Sequence, residues 1–200
     1  MDTLQHLTDL LHRRLFVELE ASGRHVHVTK EQAQILFGHD LTEKRPLSQP
    51  GQYLSGERVT VVGRKGRLER VAVLGPCRRE AQVELSATDA VSIGVDAPVR
   101  LSGQVEASAP VTLIGPCGCV ELRQGAIVAQ RHIHMTPEDA ALQGVSHGDT
   151  VRLRTMTGRP LVFEQVAVRV SPDYRTYAHL DFDEANACGF QKGDLGMILR

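Results

Sequence analysis

The chain carries one short phrase twice, Arg24-His25-Val26-His27-Val28-Thr29 and Arg131-His132-Ile133-His134-Met135-Thr136. Each reads Arg-His-aliphatic-His-apolar-Thr, and each continues through an acidic residue at the same offset, Glu31 and Glu138, to an alanine, Ala33 and Ala140. A repeat of this length implies two related halves. Histidines spaced i, i+2 in an extended segment place both side chains on one face, close enough to hold a single metal ion. Two histidine pairs, on two copies of one scaffold, are therefore the first expectation.

The repeat extends beyond the phrases. Thr29 with Gln32 has the spacing of a capping box, and a helix is expected from Thr29 to about Phe37, ended by Gly38. Thr136-Pro137 opens the equivalent helix with Pro at its first position, and Gly144 closes it. Aligning Val71-Ala72-Val73 on Val166-Ala167-Val168 gives an offset of 95 (166 − 71), which carries Glu84-Leu85 onto His179-Leu180 and Asp89-Ala90 onto Glu184-Ala185. The histidine phrases are offset by 107 (132 − 25), so the first half holds 12 more residues. A loop or small hairpin between about residues 40 and 58, punctuated by Pro46, Pro50, Gly51 and Gly56, can accommodate them.

Strand-like runs at 59–63, 68–74 and 82–85, with a helical turn near 88–93, are answered by runs at 151–154, 161–170 and 177–180, with a helical turn at 183–188. Further strands are expected at 111–115 and 127–130. Many short strands, frequent Gly and few long helices point to a mainly β protein with short helices, built as barrels or sandwiches with small helical caps. At the N-terminus, residues 2–14 read as a helix with Asp2 or Thr3 as cap and Leu4, Leu7, Leu10 and Leu11 gathered toward one side. A helix this short needs something to pack on, either a partner or its own domain. Residues 16–21 then read as a strand.

Composition excludes several classes. No apolar run approaches the roughly 20 residues that cross a bilayer, so no membrane span is expected, and no signal peptide is legible. A formal charge of −1, 4% aromatic residues and no Trp make nucleic acid an unfavourable partner. The four cysteines, Cys77, Cys117, Cys119 and Cys188, are expected as reduced thiols, and Cys117-Gly118-Cys119 lacks the companion pair or His of a zinc ribbon.

A histidine pair with one more ligand from a neighbouring strand is the usual supply for a catalytic zinc, which keeps a fourth position open. The duplication offers His25, His27 and Glu84 in one half and His132, His134 and His179 in the other. Imidazole and carboxylate also suit Fe, Co or Mn. Two other readings stand beside this one. His25, His27 and Glu31 fit the spacing of a two-domain cupin dioxygenase or isomerase, and structural zinc could hold together a non-catalytic scaffold. Arg78, six residues before Glu84, carries a planar fork that matches phosphate.

These residues resemble the phosphate propanoyltransferases of bacterial propanediol-utilisation microcompartments, a zinc-dependent class of phosphotransacylase. The resemblance runs from about Ser22 over nearly the whole chain. It is carried by Ser22-Gly23-Arg24-His25-Val26-His27, Pro46-Leu47-Ser48-Gln49-Pro50-Gly51-Gln52, Gln82-Val83-Glu84, Gln130-Arg131-His132-Ile133-His134-Met135, Arg169-Val170-Ser171-Pro172-Asp173 and Asp183-Glu184-Ala185-Asn186-Ala187.

It implies two β-barrels, with a first half at 22–128, a second at 129–200 and the strand at 15–21 joining the second barrel. It implies an enzyme that interconverts acyl-CoA (propanoyl-CoA or acetyl-CoA) plus phosphate with acyl phosphate plus CoA. Two zinc ions would be held by His25, His27 and Glu84 and by His132, His134 and His179. Arg78 would hold phosphate, and Ser22, Arg45, Leu74, His179 and Asn186 would border coenzyme A. Gly23, Arg45 and Ala72 depart from the residues usual in that family, which are Asn, Lys and often Arg. Residues 1–14 would direct the enzyme into a microcompartment in the bacterial cytoplasm, among shell or lumen proteins, and a homo-oligomer is expected.

Overall fold

The computed structural model describes residues 3–199; Met1, Asp2 and Arg200 lie outside the described residues, and with them the capping role expected for Asp2. The chain begins with α1 (Thr3–Leu15), β1 (Val17–Ser22), β2 (His25–His27), α2 (Lys30–Phe37), β3 (Glu43–Pro46), β4 (Tyr53–Val62) and β5 (Arg67–Gly75). Next come β6 (Gln82–Leu85), α3 (Ala87–Ile93), β7 (Val99–Arg100), β8 (Ala109–Ile114) and β9 (Cys119–Ala129). It ends with β10 (His132–Met135), α4 (Pro137–Gln143), β11 (Thr150–Met156), β12 (Val162–Val170), β13 (Tyr177–Asp181), α5 (Phe182–Cys188) and β14 (Leu195–Leu199). The protein is mainly β with short helices, as its strand-rich sequence implies. No helix among the described residues is long and apolar enough to cross a membrane.

The chain divides into two compact units, one of residues 23–129 and one of residues 1–22 with 130–200. In the 23–129 unit, β4-β5-β2-β6-β9-β8 form a ring closed by the pairing of β8 with β4, with β3 added beside β4 and β7 beside β9. In the other unit, β1-β13-β10-β12-β11-β14 form a ring closed by β14 on β1. Each unit is thus a six-stranded barrel. The strand that runs into each histidine phrase belongs to the other barrel: β1 lies parallel to β13 but leads into β2, and β9 lies parallel to β6 but leads into β10.

Alternation decides which side chains enter each core. On β2, Val26 joins Val28, Leu36, Val61, Val73, Val83 and Leu113 in one apolar cluster, while His25 and His27 take the opposite face. On β10, Ile133 and Met135 pack with Leu19, Leu153, Val166 and Val168, and the histidines again alternate with them. The helices after both phrases are capped as their sequences require. Thr29 and Gln32 make the reciprocal capping box, Thr136 accepts from the Asp139 N–H, and Gly38 and Gly144 close the helices in the left-handed region at φ 76° and 65°.

The offset of 95 reappears as structure. Ala72 and Ala167 are the parallel neighbours of His25 and His132, and Glu84 and His179 are their antiparallel neighbours. Immediately before each Val-Ala-Val, Arg70 (φ 56°) and Gln165 (φ 54°) occupy left-handed backbone that L residues with a Cβ adopt at a cost. At both places the second strand of the pair, β5 or β12, holds one extra residue, since Leu68 to Val71 face Val61 to Val59 and Phe163 to Val166 face Leu153 to Val151. Both barrels therefore keep the same β-bulge, which bends the strand beside the histidines.

The first helix folds back on its own unit. Arg13 reaches Asp139 on α4 at 2.6 Å, and the Gln143 side-chain amide donates to the carbonyls of Arg13 and Phe16. This attachment is polar and leaves Leu4, Leu7, Leu11 and Leu15 exposed.

Candidate active site

The antiparallel register of β2 with β6 sets His25 across from Glu84, and a cluster forms there with His27. β10 with β13 does the same for His132 and His179, joined by His134. In each cluster the three ligand atoms lie within 4.8 Å of one another. Ligands about 2.0–2.2 Å from one zinc sit roughly 3–3.5 Å apart, and His25 Nε2 is 3.4 Å from Glu84 Oε1. Glu31, the cupin-spaced carboxylate, is instead exposed in the first turn of α2 and belongs to neither cluster. Its position two residues after a capping Thr commits it to the helix terminus rather than to the histidines.

The rings are held as metal ligands usually are. His25 Nδ1 lies 2.8 Å from the Gly23 carbonyl and His132 Nδ1 2.8 Å from the Gln130 carbonyl, an arrangement that leaves Nε2 of each ring for coordination. His179 Nδ1 lies 3.3 Å from Glu20 on β1. His27 is 2% exposed and its Nδ1 has no hydrogen-bond partner among the described residues, a desolvated polar atom of the kind that a bound ion satisfies. Two three-ligand sets of imidazole and carboxylate fit zinc or another divalent first-row ion.

Without a metal, the 23–129 cluster behaves as an ion pair. Burial disfavours the His25 imidazolium, but the adjacent Glu84 carboxylate outweighs burial and the proton is held above the ordinary value of 6.5. Burial would raise Glu84, yet the charge and hydrogen bond of His25 hold it well below the usual carboxylate range. Burial, reinforced by the positive charges of His25 and Arg78, pushes His27 well below 6.5.

Arg78 follows β5; its backbone N–H donates to the Val28 carbonyl and its Nη1 donates to Ser102 Oγ at 3.0 Å. Ser102 also accepts from Gln82 Nε2, which donates to Glu84 Oε1 in turn, so guanidinium and cluster carboxylate share one hydrogen-bonded network. Arg45 is exposed on β3 and Leu74 half-buried on β5, both in the unit of Arg78. Ser22 ends β1 opposite Asp181, and Asn186 is exposed on α5 in the unit of His179. Cys117 and Cys119 are exposed beside the β8–β9 turn and join no metal-binding group among the described residues.

Several supporting residues escaped the sequence reading. Gln82 shares a face with Glu84 by strand alternation, which was a usable signal. Glu20 reaches His179 only through a parallel pairing of residues 159 apart in sequence (179 − 20), and Ser102 lies in a segment without a counterpart in the repeat, so neither had one.

Two closed barrels with equivalent polar clusters also match known proteins in sequence. The family described as phosphate propanoyltransferase matches residues 18–191. The phosphate propanoyltransferase of Listeria monocytogenes serovar 1/2a is 50% identical over 186 residues, covering 92% of this chain and 87% of that protein. That of Clostridioides difficile strain 630 is 48% identical, covering 94% and 91%, and that of Thermotoga maritima is 44% identical, covering 100% and 96%. A protein of this kind is an acyltransferase that acts on acyl-CoA and phosphate. The chain belongs to the phosphate propanoyltransferase family.

Proposed function

We propose that this chain is a two-zinc phosphate acyltransferase that converts propanoyl-CoA or acetyl-CoA and phosphate to acyl phosphate and CoA. The observation that carries the reading is the equivalence of the two clusters, in which His25, His27 and Glu84 would hold one ion and His132, His134 and His179 the other. Zinc at such a site supplies a Lewis acid for the charge that develops on the reacting acyl group.

Arg78 orients the incoming phosphate through its planar donor fork, and Ser102 steadies that fork by accepting from Nη1. A phosphate oxygen forms the new bond to the thioester carbonyl carbon, the C–S bond breaks, and CoA leaves as the thiolate. Ser22, Arg45, Leu74, His179 and Asn186 border the CoA. Burial pushes the Cys77 and Cys188 thiols up, which leaves less thiolate at each for attack on a thioester.

Residues 1–14 present Leu4, Leu7 and Leu11 to solvent, which supports docking to a shell or lumen protein of a microcompartment in the bacterial cytoplasm, in the propanediol degradation pathway. The enzyme acts there as a homo-oligomer. Deleting residues 1–14 is expected to spare turnover and abolish encapsulation; unchanged shell association in cells would remove this assignment.

The test of the activity is release of free CoA from propanoyl-CoA, with and without phosphate, before and after chelation and zinc restoration. Phosphate-dependent release that disappears with chelator and returns with zinc is expected. Release without phosphate would identify a thioesterase, and phosphate-dependent release indifferent to chelation would remove the zinc. The same assay with acetyl-CoA ranks the two acyl chains.

A further inference from the structure

The arginine that opens each histidine phrase is tied to the helix that follows its third cluster residue. Arg24 Nε lies 2.9 Å from Asp89 Oδ2, and Arg131 Nη1 lies 2.7 Å from Glu184 Oε1. Asp89 and Glu184 are equivalent under the repeat, and both stand third in their helices, with backbone N–H groups bonded to the caps Ser86 and Asp181. Each arginine therefore ties the entry of a histidine strand to the corner where β6 or β13 becomes a helix.

That entry is where the first histidine of each pair is aimed. The carbonyls that receive His25 Nδ1 and His132 Nδ1 belong to Gly23 and Gln130, the residues just before the arginines. Each carbonyl shares a peptide plane with the arginine nitrogen, so anchoring the arginine restricts the direction of the carbonyl and, through it, the ring. The acidic partners are 10% and 15% exposed in their side chains, so these pairs are screened less than ordinary surface ion pairs. Arg131 is further held by the Glu164 carbonyl at 2.8 Å and lies over the Phe163 ring. The same device in both barrels, between residues of the same repeat positions, argues for a shared purpose.

We infer that Arg24–Asp89 and Arg131–Glu184 are positioning pairs, one for each metal centre, which aim His25 and His132 through the peptide carbonyl before the arginine. The inference rests on the zinc reading above.

The experiment measures zinc affinity of the full-length protein by chelator competition, with metal content and the visible spectrum of the cobalt-substituted protein. Arg24→Ala is expected to weaken one of two zinc equivalents about tenfold or more, Arg131→Ala to weaken one, and the double variant to weaken both. Arg24→Asp combined with Asp89→Arg is expected to restore much of the loss. If the alanine variants do not fold, Asp89→Asn and Glu184→Gln are read in the same way, since they keep side-chain shape and remove charge. Two equivalents at wild-type affinity and an unchanged cobalt spectrum in every variant would overturn the inference while leaving the zinc reading intact, even if thermal stability fell. A wild-type protein that binds no zinc would overturn both.

Discussion

The two barrels hold their clusters on the same strands, at the same register and behind the same bulge, yet they differ in the third member and in what supports it. Glu84 is an anionic group inside a network with Gln82, Ser102 and Arg78. His179 is an imidazole backed by the Glu20 carboxylate of β1. A dication held by two imidazoles and a carboxylate would keep less net charge than one held by three imidazoles, so the two proposed centres would differ in electrophilicity on a shared geometry. Duplication supplied the geometry, and divergence at one register position gave the halves different electrostatics.

The largest expected effect comes from removing that difference outright. Glu84→Ala should bind one zinc equivalent instead of two and lose about 10³-fold or more in turnover, since a Lewis acid contributes several kcal/mol and each 1.36 kcal/mol is tenfold. Two equivalents with near-native turnover would show that the carboxylate is no ligand. Glu20→Gln sharpens the comparison from the other side: weakening of one zinc equivalent by about 10–100-fold is expected, with the other intact. Titration against a competing chelator decides this, and equal weakening of both would show that Glu20 serves the fold rather than His179.

A pH profile distinguishes the ion-paired cluster in the metal-free protein. Glu84 has a folded proton affinity below its ordinary value of 4.5, so its contribution is present above that pH and lost as acid protonates it. His25 lies above its ordinary 6.5, so its contribution is present below 6.5 and lost as pH rises. The difference in melting temperature between wild type and Glu84→Gln should therefore peak between about pH 4.5 and 6.5. A difference that is constant from pH 4 to 8, roughly, would contradict the pairing.

The smallest effect tests the shared bulge. Arg70→Gly and Gln165→Gly each relieve a left-handed residue worth about 1–2 kcal/mol but add about 0.5–1 kcal/mol of backbone entropy, so each should stabilise by up to about 1.5 kcal/mol. Urea denaturation measures both. Opposite signs at the two sites would mean that the bulges, though alike in backbone, are held by different neighbours.

Much of this site was legible because its information is local or periodic. The i, i+2 histidines, the Thr caps and the Val-Ala-Val alignment that places Glu84 on His179 are all short-range patterns, and the structure pairs those residues as the offset implies. The strand β14 was missed: Leu195–Leu199 is a short run with Gly196 inside it, and only its pairing with β1 and β11 makes it a strand. β3, Glu43-Lys44-Arg45-Pro46, is exposed throughout with no apolar alternation; it pairs with the start of β4 as the hairpin that was one of the two expectations for residues 40–58, and the edge that β4 offers decides between them.

The sequence by itself determined the duplication, the two histidine pairs, the helix boundaries and the mainly β class, because each depends on side-chain type at fixed spacing. Tertiary structure alone decided which strands close each barrel, that α1 attaches through Arg13 with Leu4, Leu7, Leu11 and Leu15 outward, and that Ser102 and Glu20 reach the clusters while Asp89 and Glu184 pair with Arg24 and Arg131. Those outcomes join residues far apart in the chain, and long-range pairing is set by which backbone edges and buried charges find partners, a competition that no local pattern records.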